Sequence, residues 1–249
     1  MRIAVVQFQI THLNRTENFR QIEFFIQQAK AQEAHVIVFP EDCITGSIFG
    51  IASRLDREQS VCKQFQTLAQ MYAIDIVTGS VMERTDEGDF NMAYYIDASG
   101  KVLARYRKNH LYGSENNFLK QGNDIAVFDT VYGRAGIIIC WDILFPKMFA
   151  LMKSAGVEVV YCPSYWYREI AGDALKEHPH CEEDRIDAVC IAMAKEYGIT
   201  FVYCNSAGTI RYEDGSVDTC IGHSQIVAPT GDVLKKLTHN QEEMFFQKI

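Results

Sequence analysis

Short apolar runs recur along this chain, each followed by a segment of helical period or by a turn. That alternation constrains the fold more than any other feature. The run 35–39 (HVIVF) carries no polar alternation, as expected of a strand covered on both faces. The runs 3–8, 74–81, 91–97, 102–106, 125–129, 135–139, 157–161, 200–203, 221–228 and 233–237 also read as strands. Between them, 14–33 places Phe19, Ile22, Ile26 and Ala29 on one helical face, and 58–72 does the same with Val61, Phe65, Leu68 and Tyr72. Residues 146–155 open with a proline suited to a first helical turn. Residues 181–197 keep Ile186, Val189, Cys190, Met193 and Tyr197 in phase, with Gly198 past the end. Turn signals at 98–101, at Tyr132-Gly133 and at 229–232 close hairpins. Mixed β-α-β units and hairpins predict an α/β chain whose helices lie outside mixed sheets. No linker or repeat interrupts it, so residues 1–249 are expected to form one domain. Two stretches, 107–123 and 162–180, show little regular pattern, and loops after strand ends are where α/β proteins carry their sites.

Charge and cysteine usage narrow the class. A formal net charge of −8 over 249 residues argues against nucleic acid, which selects basic surfaces. No apolar run has the length of a membrane span. The opening MRIAVVQFQI reads as a first strand rather than a signal peptide. A cytoplasmic location follows, where the eight cysteines stay reduced. They form no C-x-x-C pair, and His178-Pro179-His180-Cys181 fits no common zinc spacing. No metal or organic cofactor is expected.

Three cysteines, Cys140, Cys162 and Cys204, end apolar strands. Each reads equally as a small core residue, and position alone does not choose among them. A nucleophilic thiol needs a base and a positive charge nearby. Glu41 follows the strand 35–39 through Pro40, where it is either solvated or held for a purpose. Lys108 follows the strand 102–106 in a basic run that otherwise reads as a solvated edge.

These pieces occur in the order FPEDCITG (39–46), YRKNHL (106–111) and IICWD (138–142). With them the chain resembles the nitrilase, or carbon–nitrogen hydrolase, superfamily, nearest the N-carbamoyl-amine amidases. The likeness spans nearly the whole chain, including the hairpin 94–108, CPS (162–164) and PTGDVL (229–234). It implies a four-layer α-β-β-α sandwich with two mixed β-sheets. It also implies Cys140 as nucleophile, Glu41 as general base, Lys108 as oxyanion lysine, and Glu115 as a second carboxylate that orients the lysine and substrate. The Trp141 N–H, directly after the thiol, is the natural second oxyanion donor. Trp141, Tyr165 and Trp166 are expected at the pocket wall, although core packing explains the aromatics of 165–167 equally well. A homodimer or higher homo-oligomer is implied by the same resemblance.

Amide cleavage suits this set. A carboxylate of raised pKa takes the thiol proton and returns it to the departing nitrogen. The expected substrate is a small linear carboxamide or N-carbamoyl amine, with ammonia released through a thioester. Nitrile hydrolysis by the same triad, and a binding protein that has lost activity, are the alternatives. His110 is a competing base and Cys43 a nearby spectator thiol. Asp142 either fixes its turn or touches the substrate. The chain has Lys147 where many relatives have glutamate, and Met193 and Tyr197 where an arginine and an asparagine are common; both changes bear on substrate identity more than on mechanism.

Overall fold

The structure, a computed structural model, describes residues 1–249. Its first sheet starts from three parallel strands, β1 (Arg2–Gln7), β2 (Val36–Val38) and β3 (Asp75–Val77). The long β5 (Gly88–Ile96) runs antiparallel to β3 and to β4 (Val81–Thr85) along one edge, and to β6 (Val102–Arg107) along the other. β15 (Glu243–Lys248) closes the far side against β1. The second sheet orders β14 (Val233–Lys236), β13 (Gln225–Val227), β10 (Thr200–Asn205), β9 (Val159–Ser164), β8 (Gly133–Ile137) and β7 (Ala126–Thr130). A separate hairpin joins β11 (Thr209–Arg211) to β12 (Val217–Thr219).

Alternation along each strand builds the layers. Val5, Val38 and Tyr95 point inward to meet Ile137, Tyr161 and Val202 of the second sheet. Their neighbours Val6, Ile37 and Phe39 point outward and are covered by Ile22 and Phe25 of α1 (Arg15–Ala31) and Phe65 of α2 (Ser60–Tyr72). On the opposite side α3 (Pro146–Ser154) sets Phe149 5.7 Å from Phe201, and α4 (Cys181–Tyr197) adds Ile186 and Met193. Each large apolar side chain removed from water in this way contributes about 2 kcal/mol. The result is the four-layer α-β-β-α sandwich, and all four helices fall where the sequence predicts them, three by period and α3 by its leading proline. No helix is long and apolar enough to cross a membrane.

Several strands differ from the sequence reading. The strand expected over 74–81 stops at Val77, and a further strand, β4, starts at Val81; β3 and β4 follow one edge of β5 in succession. Between Val77↔Tyr95 and Val81↔Met92, four steps on one strand match three on the other. Gly79 absorbs the extra residue at φ 73°, a bulge that also lets Pro40 approach. Residues 221–224, expected as strand, leave the ladder because Ser224 Oγ accepts from the Asn205 N–H and the Gly222 carbonyl accepts from Asn205 Nδ2. The hairpin β11–β12 and the last strand β15 are additions. β15 escapes a period-two search because both faces are covered: Phe245 turns to the inter-sheet core while Met244 and Phe246 lie against the outer helices.

A Cβ on Gly79 would stand 2.1 Å from the Pro40 carbonyl oxygen, in a left-handed conformation that already disfavours L side chains. Gly79→Ala is expected to destabilise the protein by at least about 2 kcal/mol, read as a lower urea midpoint with an unchanged slope.

Candidate active site

The site forms where strands of both sheets end. β2 runs out through Phe39 and Pro40 to Glu41, whose N–H donates to the Ser164 carbonyl at the end of β9 (3.3 Å). The loop beyond is tied to α1 by Asn18, whose Nδ2 donates to the Thr11 and Ile44 carbonyls (2.8 and 2.9 Å). This segment therefore has little freedom to carry Glu41 away. The carboxylate is 3% exposed and takes three donors, which leaves Oε2 room for one more. Oε1 accepts from Lys108 Nζ (2.8 Å) and Asn91 Nδ2 (2.9 Å), and Oε2 accepts from the Tyr165 N–H (2.9 Å).

Lys108 follows β6 by one residue, and its own N–H still donates to the Asn91 carbonyl (2.9 Å). Its ammonium is 2% exposed and also donates to Glu115 Oε2 at 2.8 Å. Glu115 sits on a short 3-10 turn, Gly113–Asn117, and caps that turn by accepting from the Tyr112 N–H (2.7 Å). Asn91 joins the two acids from below, donating to Glu41 Oε1 and Glu115 Oε1 at 2.9 Å each. The loop from Lys108 returns at Gly122, whose N–H donates to the Lys108 carbonyl (2.9 Å). A Cβ there would lie 2.3 Å from the Arg107 carbonyl oxygen, so a side chain would hold the loop open.

Cys140 ends the run after β8 at φ 47°, a left-handed conformation that costs a non-glycine residue roughly 1–3 kcal/mol. It begins a 3-10 turn, Cys140–Leu144. Asp142, wholly buried, holds that turn by accepting from the Ile139 N–H (3.0 Å). It also accepts from the Tyr106 hydroxyl (2.7 Å), the His110 N–H (2.9 Å) and His110 Nδ1 (2.8 Å). One carboxylate thus locks the Cys140 turn to the segment that carries Lys108. His110 is spent on this contact and stacks on Phe145 at 3.4 Å; it does not line the cavity.

Glu41, Lys108, Glu115 and Cys140 line one cavity of about 220 Å³, with Trp141 and Tyr165 in its wall. Trp166, expected beside them, lies behind the wall. It is fully buried, its indole N–H donates to Glu182 (2.7 Å), and its ring backs Trp141 at 5.1 Å. Strand alternation explains the difference, because adjacent residues leaving β9 point to opposite sides. Cys162 and Cys204 are fully buried, and Cys43 donates to the Thr78 carbonyl inside the core. His178 and His180 lie on the exposed loop before α4, and no group of three or more His, Cys, Asp or Glu is arranged to hold a metal. Tyr167, weighed with its neighbours as a wall residue, does line the cavity, as do Asp42, Tyr112 and Asp218, which the sequence does not single out; nor does it single out Asn91. A polar residue ahead of the buried run Met92–Ile96 is the one signal that pointed to Asn91.

Burial sets the ionisation of the cluster. It pushes Glu41 above the ordinary glutamate range; Lys108 opposes this and Glu115 adds to it. Burial also penalises the Lys108 ammonium, but Glu115 and Glu41 outweigh it and hold the charge well above the usual lysine range. The Cys140 thiol is pushed well up by burial and then by Glu41, with Lys108 opposing. At neutral pH the sulfur therefore keeps its proton until a neighbouring base removes it. Such a set offers a nucleophile, a proton acceptor and a fixed positive charge in a partly enclosed space.

Comparison with known proteins gives a consistent picture. A family model described as carbon-nitrogen hydrolase matches residues 2–249. A probable nitrilase of Schizosaccharomyces pombe is 28% identical, covering 96% of this chain and 85% of its own. The 2-oxoglutaramate amidase of Bacillus subtilis is 28% identical over 93% of this chain and 84% of its own. The N-carbamoylputrescine amidase of Oryza sativa is 28% identical over 97% and 83%. Among solved structures, an amidase from Nesterenkonia sp. superposes with a TM-score of 0.83 at 25% identity, covering 99% of this chain and 89% of that one.

Removing the Asp142 carboxylate would strand four donors in a buried site. Asp142→Ala is expected to cost about 3 kcal/mol or more in urea denaturation. In the fraction that stays folded, a loss of register between Lys108 and Cys140 is expected to lower kcat more than it raises KM.

Proposed function

The chain belongs to the carbon–nitrogen hydrolase family, and from that premise we propose that it hydrolyses a small linear carboxamide or N-carbamoyl amine through a thioester at Cys140. The observation that carries this reading is the buried Lys108 ammonium, held between Glu41 and Glu115 on the cavity that Cys140 also lines. Glu41 takes the thiol proton as sulfur attacks the carbonyl carbon, forming the C–S bond and moving the carbonyl electron pair onto oxygen. Lys108 stabilises that oxygen, and the Trp141 N–H is its second donor. In the 3-10 turn the first internal bond runs from the Asp142 N–H to Ile139 (3.1 Å), so the Trp141 amide has no partner within the turn. Each such donor supplies about 3 kcal/mol of transition-state stabilisation.

Collapse of the adduct breaks the C–N bond, and Glu41 returns the proton so that nitrogen leaves as ammonia or a neutral amine. Water then gives a proton to Glu41 and adds its oxygen to the thioester. Glu41 reprotonates the departing sulfur, leaving a carboxylic acid. With an N-carbamoyl amine the carbon ends as carbamic acid, which breaks down to carbon dioxide and ammonia or an amine. Glu115 is read as the group that orients Lys108, and Asn91 as the clamp that spaces the two acids. The family resemblance further supports reading residues 1–249 as one domain of a cytoplasmic homo-oligomer.

Ammonia release from a panel of primary amides, ureido compounds and nitriles tests the reading, with intact-mass detection of the acyl-enzyme. Wild type is expected to turn over at least one amide or ureido compound. Cys140→Ala is expected to lose both turnover and adduct, while Cys162→Ala and Cys204→Ala keep the adduct. Silence across the panel, or an adduct on another cysteine, would defeat the proposal.

The raised Glu41 carboxyl sets a pH dependence. Only its ionised form accepts the thiol proton, so kcat/KM is expected to fall as pH drops through its folded-state pKa. That acid limb is expected at a higher pH than an ordinary glutamate gives. An acid limb at or below the ordinary glutamate range would place the base elsewhere.

A further inference from the structure

The walls of the cavity are unbalanced in charge. Four carboxyl groups line it, those of Glu41, Asp42, Glu115 and Asp218, against the single cation Lys108; no arginine or histidine lines it. Lys108 is already engaged by two of the acids, which leaves no free cation for an anionic substrate. Two of the carboxyl groups keep an oxygen to which no protein group donates. Asp42 is 5% exposed, and its Oδ1 is buried with no hydrogen-bond partner. Asp218, on β12, accepts through Oδ2 from the hydroxyls of Tyr212 (2.6 Å) and Tyr165 (3.2 Å), and its Oδ1 accepts from no protein group. Buried polar atoms in native proteins are almost always paired, so the Asp42 oxygen calls for a donor on a ligand, while the half-buried Asp218 leaves Oδ1 open to one. Phe49, Tyr112, Trp141 and Tyr167 also line the cavity, and aromatic faces attract cations.

Tyr165 measures the separation of the two ends. Its backbone N–H donates to Glu41 (2.9 Å) while its hydroxyl reaches Asp218. One tyrosine side chain therefore spans the gap between the proposed reacting centre and the spare carboxylate. A linear molecule with a short alkyl chain between its polar ends matches that gap.

We propose that the substrate is a linear amide or ureido compound carrying a protonated amine at the end away from the scissile carbonyl, and that Asp218 is the carboxylate that receives this amine. The inference rests on reading the cavity as an amide-hydrolysing site. Asp42 supplies a second acceptor for substrate N–H groups. A carboxylate-bearing substrate would place like charges together, and a neutral alkyl chain would leave both acceptors unpaired.

The test is a matched set of substrates on the intact protein, assayed by ammonia release. One trio is 5-aminopentanamide, hexanamide and adipamate; the other is 4-aminobutylurea, pentylurea and 5-ureidopentanoate. Within each trio only the terminal charge changes. In the trio that is turned over, kcat/KM for the cation is expected to exceed that for its neutral isostere by about tenfold or more, with the anion slowest. Asp218→Asn is expected to cut the cation-to-neutral ratio by about tenfold. A purely structural role for Asp218 would move both substrates together and leave that ratio alone. A neutral isostere that matches or beats the cation in wild type, or an unchanged ratio in Asp218→Asn, overturns this inference and leaves the hydrolase reading intact. No turnover on any of the six overturns both.

Discussion

The buried ammonium of Lys108 is the interaction on which the rest of the site depends. Taking one such charge out of water costs several kcal/mol. That cost is met only where carboxylates reach the nitrogen closely, as Glu41 and Glu115 do at 2.8 Å each. Two acids around one base leave the group with a negative excess. Asn91 spreads part of it by donating to both acids, yet Glu41 remains above its ordinary range. A carboxylate in that condition is a better proton acceptor than one in water. Burial, aided by Glu115, outweighs Lys108 and raises the basicity of the member that faces the thiol.

Such a cluster needs its members held by different parts of the chain without slack. Glu41 ends a parallel strand of the first sheet, Lys108 follows the antiparallel β6, and Cys140 follows a strand of the second sheet. Packing fixes the sheets against each other, but side-chain packing tolerates small slides. Asp142 removes that freedom, since its oxygens bond both the Cys140 turn and the Tyr106–His110 segment. The left-handed backbone at Cys140 is held by the same bonds. Strain at the sulfur and buried hydrogen bonding beneath it are parts of one construction.

Much of this was legible in the sequence because the relevant signals are local. Three helices show in the sequence by their period and α3 by its leading proline, and the acid, lysine and thiol each stand directly after a run of strand character. What the sequence hid depends on distant partners. Strand β15 has covered faces on both sides, so no alternation marks it. The break at Gly79 exists because Pro40 passes close by, a contact between segments that no window contains. Trp166 and Tyr165 are adjacent and chemically alike, and only the pleat after β9 decides which one reaches the cavity. Asp218 was invisible for the same reason: its meaning comes from Tyr165 and the hairpin that brings it there. Asp142 and His110 were recognisable as candidates, but their joint role as a bolt appears only when Tyr106 is placed between them.

Charge links the specificity inferred for Asp218 to the chemistry at Cys140. The thiol keeps its proton because burial and the charge of Glu41 oppose a second negative charge in the cavity. An empty cavity is thereby protected from adventitious reaction, since the thiolate is the reactive form. A cationic substrate changes the local balance, because its ammonium offsets part of the carboxylate excess and lowers the cost of developing negative charge nearby. The magnitude is limited by the distance that Tyr165 spans and by water at the mouth. The direction is fixed by sign alone: the group that gives the substrate its affinity also eases ionisation at the reacting sulfur. A neutral molecule of the same shape occupies the cavity without that help. Selection for the amine then acts on turnover as well as on binding, which is the arrangement expected where binding energy is expressed in the transition state.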